Sequence, residues 1–199
     1  MNFLAHIYLS GDNEYIKIGN FVADGIRGKK YQTYPIEMQV GILLHREIDT
    51  FTDAHAVFRK STKLLHKNYG HYSGVIIDIF YDHFLAKNWH HYSNIELKVF
   101  VQEFYDSLNK NMLLLPPKFQ TLTPVMIQGN WLLSYATIEG IQLVLNGMNR
   151  RTRNKSHMNK ATKDLQDNYQ TFENHFTIFF NDLIRFSEEK KQQLITQML

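Results

Sequence analysis

Three groups of acids and histidines in the first half of the chain have the types and spacings that divalent-cation or acid–base chemistry requires. His45 and Asp49 stand four residues apart, a spacing that turns both side chains to one face of a helix and lets them reach one cation together. Asp78 and Asp82 repeat the spacing with His83 directly after, and Asp24 lies in Gly19-Asn20-Phe21-Val22-Ala23-Asp24-Gly25-Ile26-Arg27-Gly28, between glycines and near a cation. His6 is a fourth, weaker candidate. Taken alone, the His45 and Asp49 pair reads as a solvated surface contact worth roughly 0.3 kcal/mol. Asp78 is harder to place that way, because it sits between Ile77 and Ile79, where an unpaired charge is costly. A second carboxylate one turn along repels it unless a proton or a cation lies between them. A metal removes the difficulty. Asp and His without Cys suit Mn²⁺, Fe²⁺, Zn²⁺ or Mg²⁺, and the residue types alone do not choose among these. Arg27 and Arg46 lie beside these acids and can clamp a phosphate; each taken singly also reads as a surface arginine.

Helices must carry these groups. The only prolines are at 35, 116, 117 and 124, and between them apolar residues recur at helical spacing, so the class reads as all-α. The pattern predicts helices over 36–49, from near 54 to 69, 73–89 and 95–108. Shorter pieces follow over 119–127 and 131–135, then a helix over 138–148. A long final helix spans 158–186, and the last residues read as a short polar helix or a frayed tail. The 73–89 segment is apolar over a wide arc and should be central. No repeat or low-complexity segment interrupts the chain, so residues 1–199 read as one helical domain. His55, His66, His71, His90, His91, His157 and His175 lack ligand spacing and read as surface or capping residues. Trp89, Trp131 and the Phe stripe of the last helix read as core.

Composition limits the function classes. With 22 Lys and Arg against 19 Asp and Glu, the net charge of +3 is too small to argue for nucleic-acid binding. The absence of cysteine excludes thiol catalysis, disulfides, thiolate-bound zinc and iron–sulfur clusters. No apolar run approaches the roughly 18 residues of a membrane helix, and the N-terminus meets His6 without a basic stretch before it, unlike a signal peptide. The expected location is the cytoplasm, without membrane association. The local basic group Arg150, Arg151, Arg153 and Lys155 can receive an acidic partner or mark a solvated loop.

The order of motifs is more specific than any single pair. Met1-Asn2-Phe3-Leu4-Ala5-His6 leads to Gly19-Asn20, Ala23-Asp24 and Arg27-Gly28. Gly41-Ile42, His45-Arg46, Ile48-Asp49 and Thr52-Asp53 follow, then Asp82-His83-Phe84-Leu85 with Trp89. The last are Ile141-Gln142, Val144-Leu145-Asn146-Gly147-Met148 and Arg150-Arg151. This series resembles the acyl carrier protein phosphodiesterase family over nearly the whole chain. The resemblance implies a divergent all-helical relative of the HD-type metal-dependent phosphohydrolases. It also implies a divalent cation, typically Mn²⁺, and a reaction that releases 4′-phosphopantetheine from holo acyl carrier protein. The metal candidates it implies are Asp24, His45, Asp49, Asp78, Asp82 and His83, with Asp24, His83, Arg27 and Arg46 as catalytic candidates and Arg150 to Lys155 as the docking surface for the acidic carrier. The adjacent pair here runs Asp82-His83, the reverse of the His-Asp order of the wider superfamily. Two other readings share these residues: a hydrolase of small nucleotides or phosphate esters, and a noncatalytic module that binds carrier proteins.

Overall fold

Short polar caps start the chain. Asn2 accepts the Phe3 N–H at the head of α1 (Phe3–Leu9), and Asn13 accepts the Ile16 N–H at the head of α2 (Glu14–Val22). Neither helix is singled out by periodicity, because seven to nine residues give barely two turns and α1 is buried almost all round. In the computed structural model, which describes residues 1–199, α2 runs into a 3-10 turn at Ala23–Gly25 and a second at Gly28–Thr33. Pro35 then precedes α3 (Ile36–Ala54), which extends beyond the predicted end at 49 because Thr52 still has core to bury against.

The His55 ring nitrogen accepts the Val57 N–H and opens α4 (Ala56–Tyr69), the capping role expected for a histidine without ligand spacing. Gly70, at φ +53°, ends that helix. The remaining helices are α5 (Ser73–Lys87), α6 (Leu97–Lys110), α7 (Pro117–Gln128), α8 (Trp131–Ser134), α9 (Ile138–Arg151), α10 (Ala161–Asp167) and α11 (Tyr169–Met198). No strand is present, and the all-α class read from the sequence holds. No helix is long and apolar enough to cross a membrane.

The predicted last helix differs in two ways. It is broken at Asn168, whose side-chain amide and backbone N–H both bond the Asp164 carbonyl, a local alternative to continuing the helix. Beyond 186 it does not fray but runs on to Met198, because Leu194, Ile195 and Met198 still rest against the core.

One cluster of 47 buried apolar residues holds these elements together. α5 is its axis, buried from Ile76 to Ala86 except at Asp78, as its apolar arc implied. Against it α11 lays Phe172, Phe176, Phe179, Phe180 and Leu183, all fully buried. Each such side chain contributes about 1.5–3 kcal/mol. α1 is packed onto both α2 and α5. α2 and α3 pack backbone to backbone, with two glycines each facing the opposite helix. A Cβ at Gly19 would stand 2.2 Å from the Met38 carbonyl oxygen, and one at Gly41 the same distance from that of Ile16. This contact sets Asn20 and His45, the neighbours of those glycines, side by side.

Candidate metal centre

Three helical segments converge on one polar pocket. His6 comes from α1, Asp24 from the 3-10 turn after α2, and His45 and Asp49 from consecutive turns of α3. His45 Nε2 lies 3.1 Å from Asp49 Oδ2 and 3.3 Å from Asp24 Oδ1, and His6 Nε2 lies 3.3 Å from the other Asp49 oxygen. The two imidazoles are stacked, with centroids 4.0 Å apart and planes 18° from parallel, and both Nε2 atoms face the Asp49 carboxylate. Both histidines are buried, whereas Asp24 and Asp49 reach the opening.

A relay behind the histidines fixes which nitrogen is free. The Ser10 hydroxyl donates to the His6 carbonyl (2.8 Å), so it accepts from the Asn20 amide (2.9 Å). That turns the Asn20 carbonyl oxygen toward His45, where it can only accept, and the His45 Nδ1–H donates to it at 3.1 Å. The lone pair of neutral His45 is therefore at Nε2, aimed between two carboxylates.

Such an arrangement needs a positive charge at its centre. Burial pushes the His45 ring down, but hydrogen bonds to Asp24 and Asp49 and their charges outweigh it and lift the ring to about 9. Asp49 shows the complement: burial pushes it up, yet contacts with His45 and His6 hold it below the usual carboxylate range. His6 is pushed down to about 4 by burial and by the His45 charge beside it. It is a neutral imidazole at physiological pH; its buried Nδ1 has no partner, and its buried Nε2 has only Asp49 Oδ1 near it, at 3.3 Å and without the geometry of a full hydrogen bond. An orphaned buried imidazole nitrogen, a second imidazole locked with Nε2 inward and a shared carboxylate make a nitrogen–oxygen donor set that can hold a divalent cation.

The other sequence candidates are placed differently. Asp78 binds the Met1 α-amino group at 3.1 Å, and that group stands 3.7 Å from Asp49, so Asp78 is one link removed from the cluster. Asp82 is fully buried and accepts the N–H groups of Leu4 (2.8 Å) and Ala5 (3.3 Å) at the start of α1. Burial pushes its carboxyl up, and the Leu4 N–H and the Met1 charge pull it partly back, to about 7. It anchors the helix that carries His6 and does not reach the cluster itself. His83, about 100° further round α5, points away: Nδ1 meets the Tyr135 carbonyl (2.7 Å) and Nε2 the Tyr169 hydroxyl (2.8 Å).

The arginine expectations change too. Arg46 donates to the carbonyls of Ile26 and Gly28 and lies over the Tyr31 ring, so it braces the loop after Asp24. Arg27 is exposed, with no polar contact to the cluster. Arg150 and Arg151, part of the basic group read from the sequence as a docking patch, line the cleft onto which His6, Asp24 and His45 open. That cleft has a volume of about 880 Å³, and α7 to α9 form its far wall with Lys118, Phe119, Trp131 and Met148.

The family model described as acyl carrier protein phosphodiesterase matches residues 1–183. The chain belongs to the acyl carrier protein phosphodiesterase family. Relatives named acyl carrier protein phosphodiesterase include one from Photorhabdus laumondii, 31% identical over 191 residues and 96% of each chain. Another, from Yersinia pestis, is 30% identical over 96% of this chain and 100% of its own, and one from Klebsiella pneumoniae is 31% identical over the same shares. No solved structure matches. For a member of this family, the residue that spacing underrated is His6: it has no acid or histidine at i+4 within its own helix, and only the fold brings it to His45. Asn20 is visible within a motif, but nothing local marks it as the hydrogen-bond partner of His45.

The relay carries its own prediction. Asn20→Ala should lower Mn²⁺ affinity about 10–100-fold, the usual cost of losing a partner that orients a ligand. Asn20→Asp, which still accepts from Nδ1–H, should recover part of the loss. Titration of Mn²⁺ followed by electron paramagnetic resonance measures both; equal affinities in Asn20→Ala and the native protein would remove Asn20 from that role.

Proposed function

We infer that this chain is a cytoplasmic, cation-dependent phosphodiesterase that hydrolyses holo acyl carrier protein to the apo form and 4′-phosphopantetheine. The observation that carries this reading is the cluster of His6, His45, Asp49 and Asp24 at the floor of an arginine-lined cleft, in a chain of this family. His6, His45 and Asp49 hold the cation, Mn²⁺ foremost with Fe²⁺, Zn²⁺ or Mg²⁺ as substitutes, and Asp24 completes the set or holds a proton of the attacking water. When bound, the cation supplies Lewis acidity and lowers the pKa of water at the site.

The chain's own groups do the rest. Arg150 and Arg151, on the opposite wall, face the diester's non-bridging oxygens and offset the charge that accumulates on them. Water adds to phosphorus and gives up a proton, the bond from phosphorus to the oxygen of the carrier protein's modified serine breaks, and that oxygen takes up a proton. Asn20, through His45, and Asp82, through α1, act as positioning residues. His83, a catalytic candidate in the sequence, has both nitrogens engaged by Tyr135 and Tyr169 and is assigned to holding α5 and α11 together. Arg153 and Lys155 lie beyond the cleft on a loop pinned by Asn149, Asn154 and Ser156, and offer the acidic carrier protein an exposed basic surface that raises encounter rate.

The test is mass spectrometry of holo carrier protein incubated with the protein and Mn²⁺, alongside a chelator control and a panel of nucleotide and phosphate esters. Cation-dependent conversion to the apo mass is expected. Turnover of the small esters alone would replace this reading with that of a small-molecule hydrolase, and bound carrier protein without turnover of anything would make the chain a binding module.

A further inference from the structure

Beyond the cluster the cleft continues into a narrower chamber of about 280 Å³. The two share Phe3, Trp131, Gly147, Met148, Arg150 and Arg151, so they form one passage with the arginines at the junction. The wide end opens at His6, Asp24 and His45; the smaller end is lined by Tyr135, Leu143 and Val144. Its lining is mostly apolar, and Leu143, at 68% exposure, leaves an apolar side chain at the rim.

Gly147 is the second observation. It lies within α9, where glycine costs up to about 1 kcal/mol relative to alanine, and no crowding explains it. An added Cβ would find one atom within 4 Å, the Arg150 guanidinium at 3.9 Å. This contrasts with Gly19 and Gly41, whose missing side chains make room for neighbouring backbone. At Gly147 the space left open is the passage itself.

We propose that this passage seats the pantetheine arm of the substrate, with Gly147 keeping the way clear from the arginine pair to the chamber lined by Trp131, Val144 and Leu143. The inference rests on the phosphodiesterase reading and says where the two halves of the substrate go. A folded carrier protein cannot enter a 280 Å³ chamber, whereas a single slender chain can. The protein side of the diester therefore occupies the wide mouth and the prosthetic arm the narrow end. The chemistry fits in order along the passage: phosphate at the arginines, the gem-dimethyl carbon beside Met148 and Trp131, and the amide-linked thiol end inside.

The test compares Gly147→Leu and Val144→Phe with the native protein on two substrates, holo carrier protein and the small diester bis(p-nitrophenyl) phosphate, together with thermal melting. Gly147→Leu should melt at or above the native temperature and keep small-diester turnover within about twofold. Its kcat/KM for holo carrier protein should fall at least about 10-fold, mainly through KM, and inhibition by free 4′-phosphopantetheine should weaken in parallel. Val144→Phe should show the same split from the chamber end. Native rates on holo carrier protein in both variants would overturn the arm site and leave the phosphodiesterase reading standing. Equal loss on both substrates would also overturn it, since the block would then lie at the reacting centre. If the native protein turns over small diesters but not holo carrier protein, both readings fall.

Discussion

Replacing His6 by alanine is expected to abolish stoichiometric Mn²⁺ binding and to lower kcat/KM for holo carrier protein by at least about 100-fold, while His83→Gln keeps the cation. The lower bound follows from the 10–100-fold cost of losing even an indirect partner of a metal ligand. His6 presents a neutral, buried Nε2 to Asp49, so its loss removes a donor that no other side chain replaces. His83 is equally buried but saturated by Tyr135 and Tyr169, so its replacement loosens the packing of α5 against α11. That change should cost about 1–3 kcal/mol of stability and leave metal content at one native equivalent. Metal analysis after gel filtration, with circular dichroism to confirm folding, separates the two. Cation retained in His6→Ala and lost in His83→Gln would reverse the assignment.

Gly41→Ala should be among the most damaging single-methyl changes in the chain, and one that reaches the metal centre. The new Cβ would meet the Ile16 carbonyl oxygen at 2.2 Å and the Asn20 nitrogen at 2.8 Å, and backbone cannot rotate aside as a flexible side chain can. Separating α2 from α3 should cost about 3 kcal/mol, lowering Tm by roughly 6–12 °C for a chain of this length. The effect on function should exceed what instability explains. His45 is one turn beyond Gly41 and bonds Asn20 across the same contact, so a displacement near 1 Å, of the kind that costs about 100-fold, should depress kcat/KM even well below the melting transition. Gly74→Ala is the control, since a Cβ there meets nothing within 4 Å. Native kcat/KM in Gly41→Ala at low temperature would show that the close helix contact serves stability alone.

The way these residues read in the sequence explains what was legible. The helices α3 to α5 stand out because long amphipathic or fully apolar segments carry their period internally. His45 and Asp49 stand out because one helix turn separates them. His6 does not, because α1 has too few residues to show a face and its partners lie on α3. Asp82 looked like a ligand for a sound reason, a carboxylate on an apolar helix that needs a partner. The partner is the head of α1, two backbone N–H groups that residue types do not announce. Adjacency misleads in the same way for His83, since neighbours on a helix diverge by about 100°. Arg46 looked free because its acceptors are carbonyls, which every residue has. Family resemblance points to motifs, and a motif records which residues occur together and leaves open which of them face the ligand and which hold the fold that presents it.

The most direct measurement is anomalous diffraction at the manganese edge from a crystal soaked in MnCl₂. An anomalous peak is expected in contact with His6 Nε2, His45 Nε2 and Asp49, with Asp82 and His83 outside its coordination sphere. A peak held by Asp78, Asp82 or His83, or none in crystals whose protein turns over substrate with Mn²⁺, would contradict the placement of the metal centre.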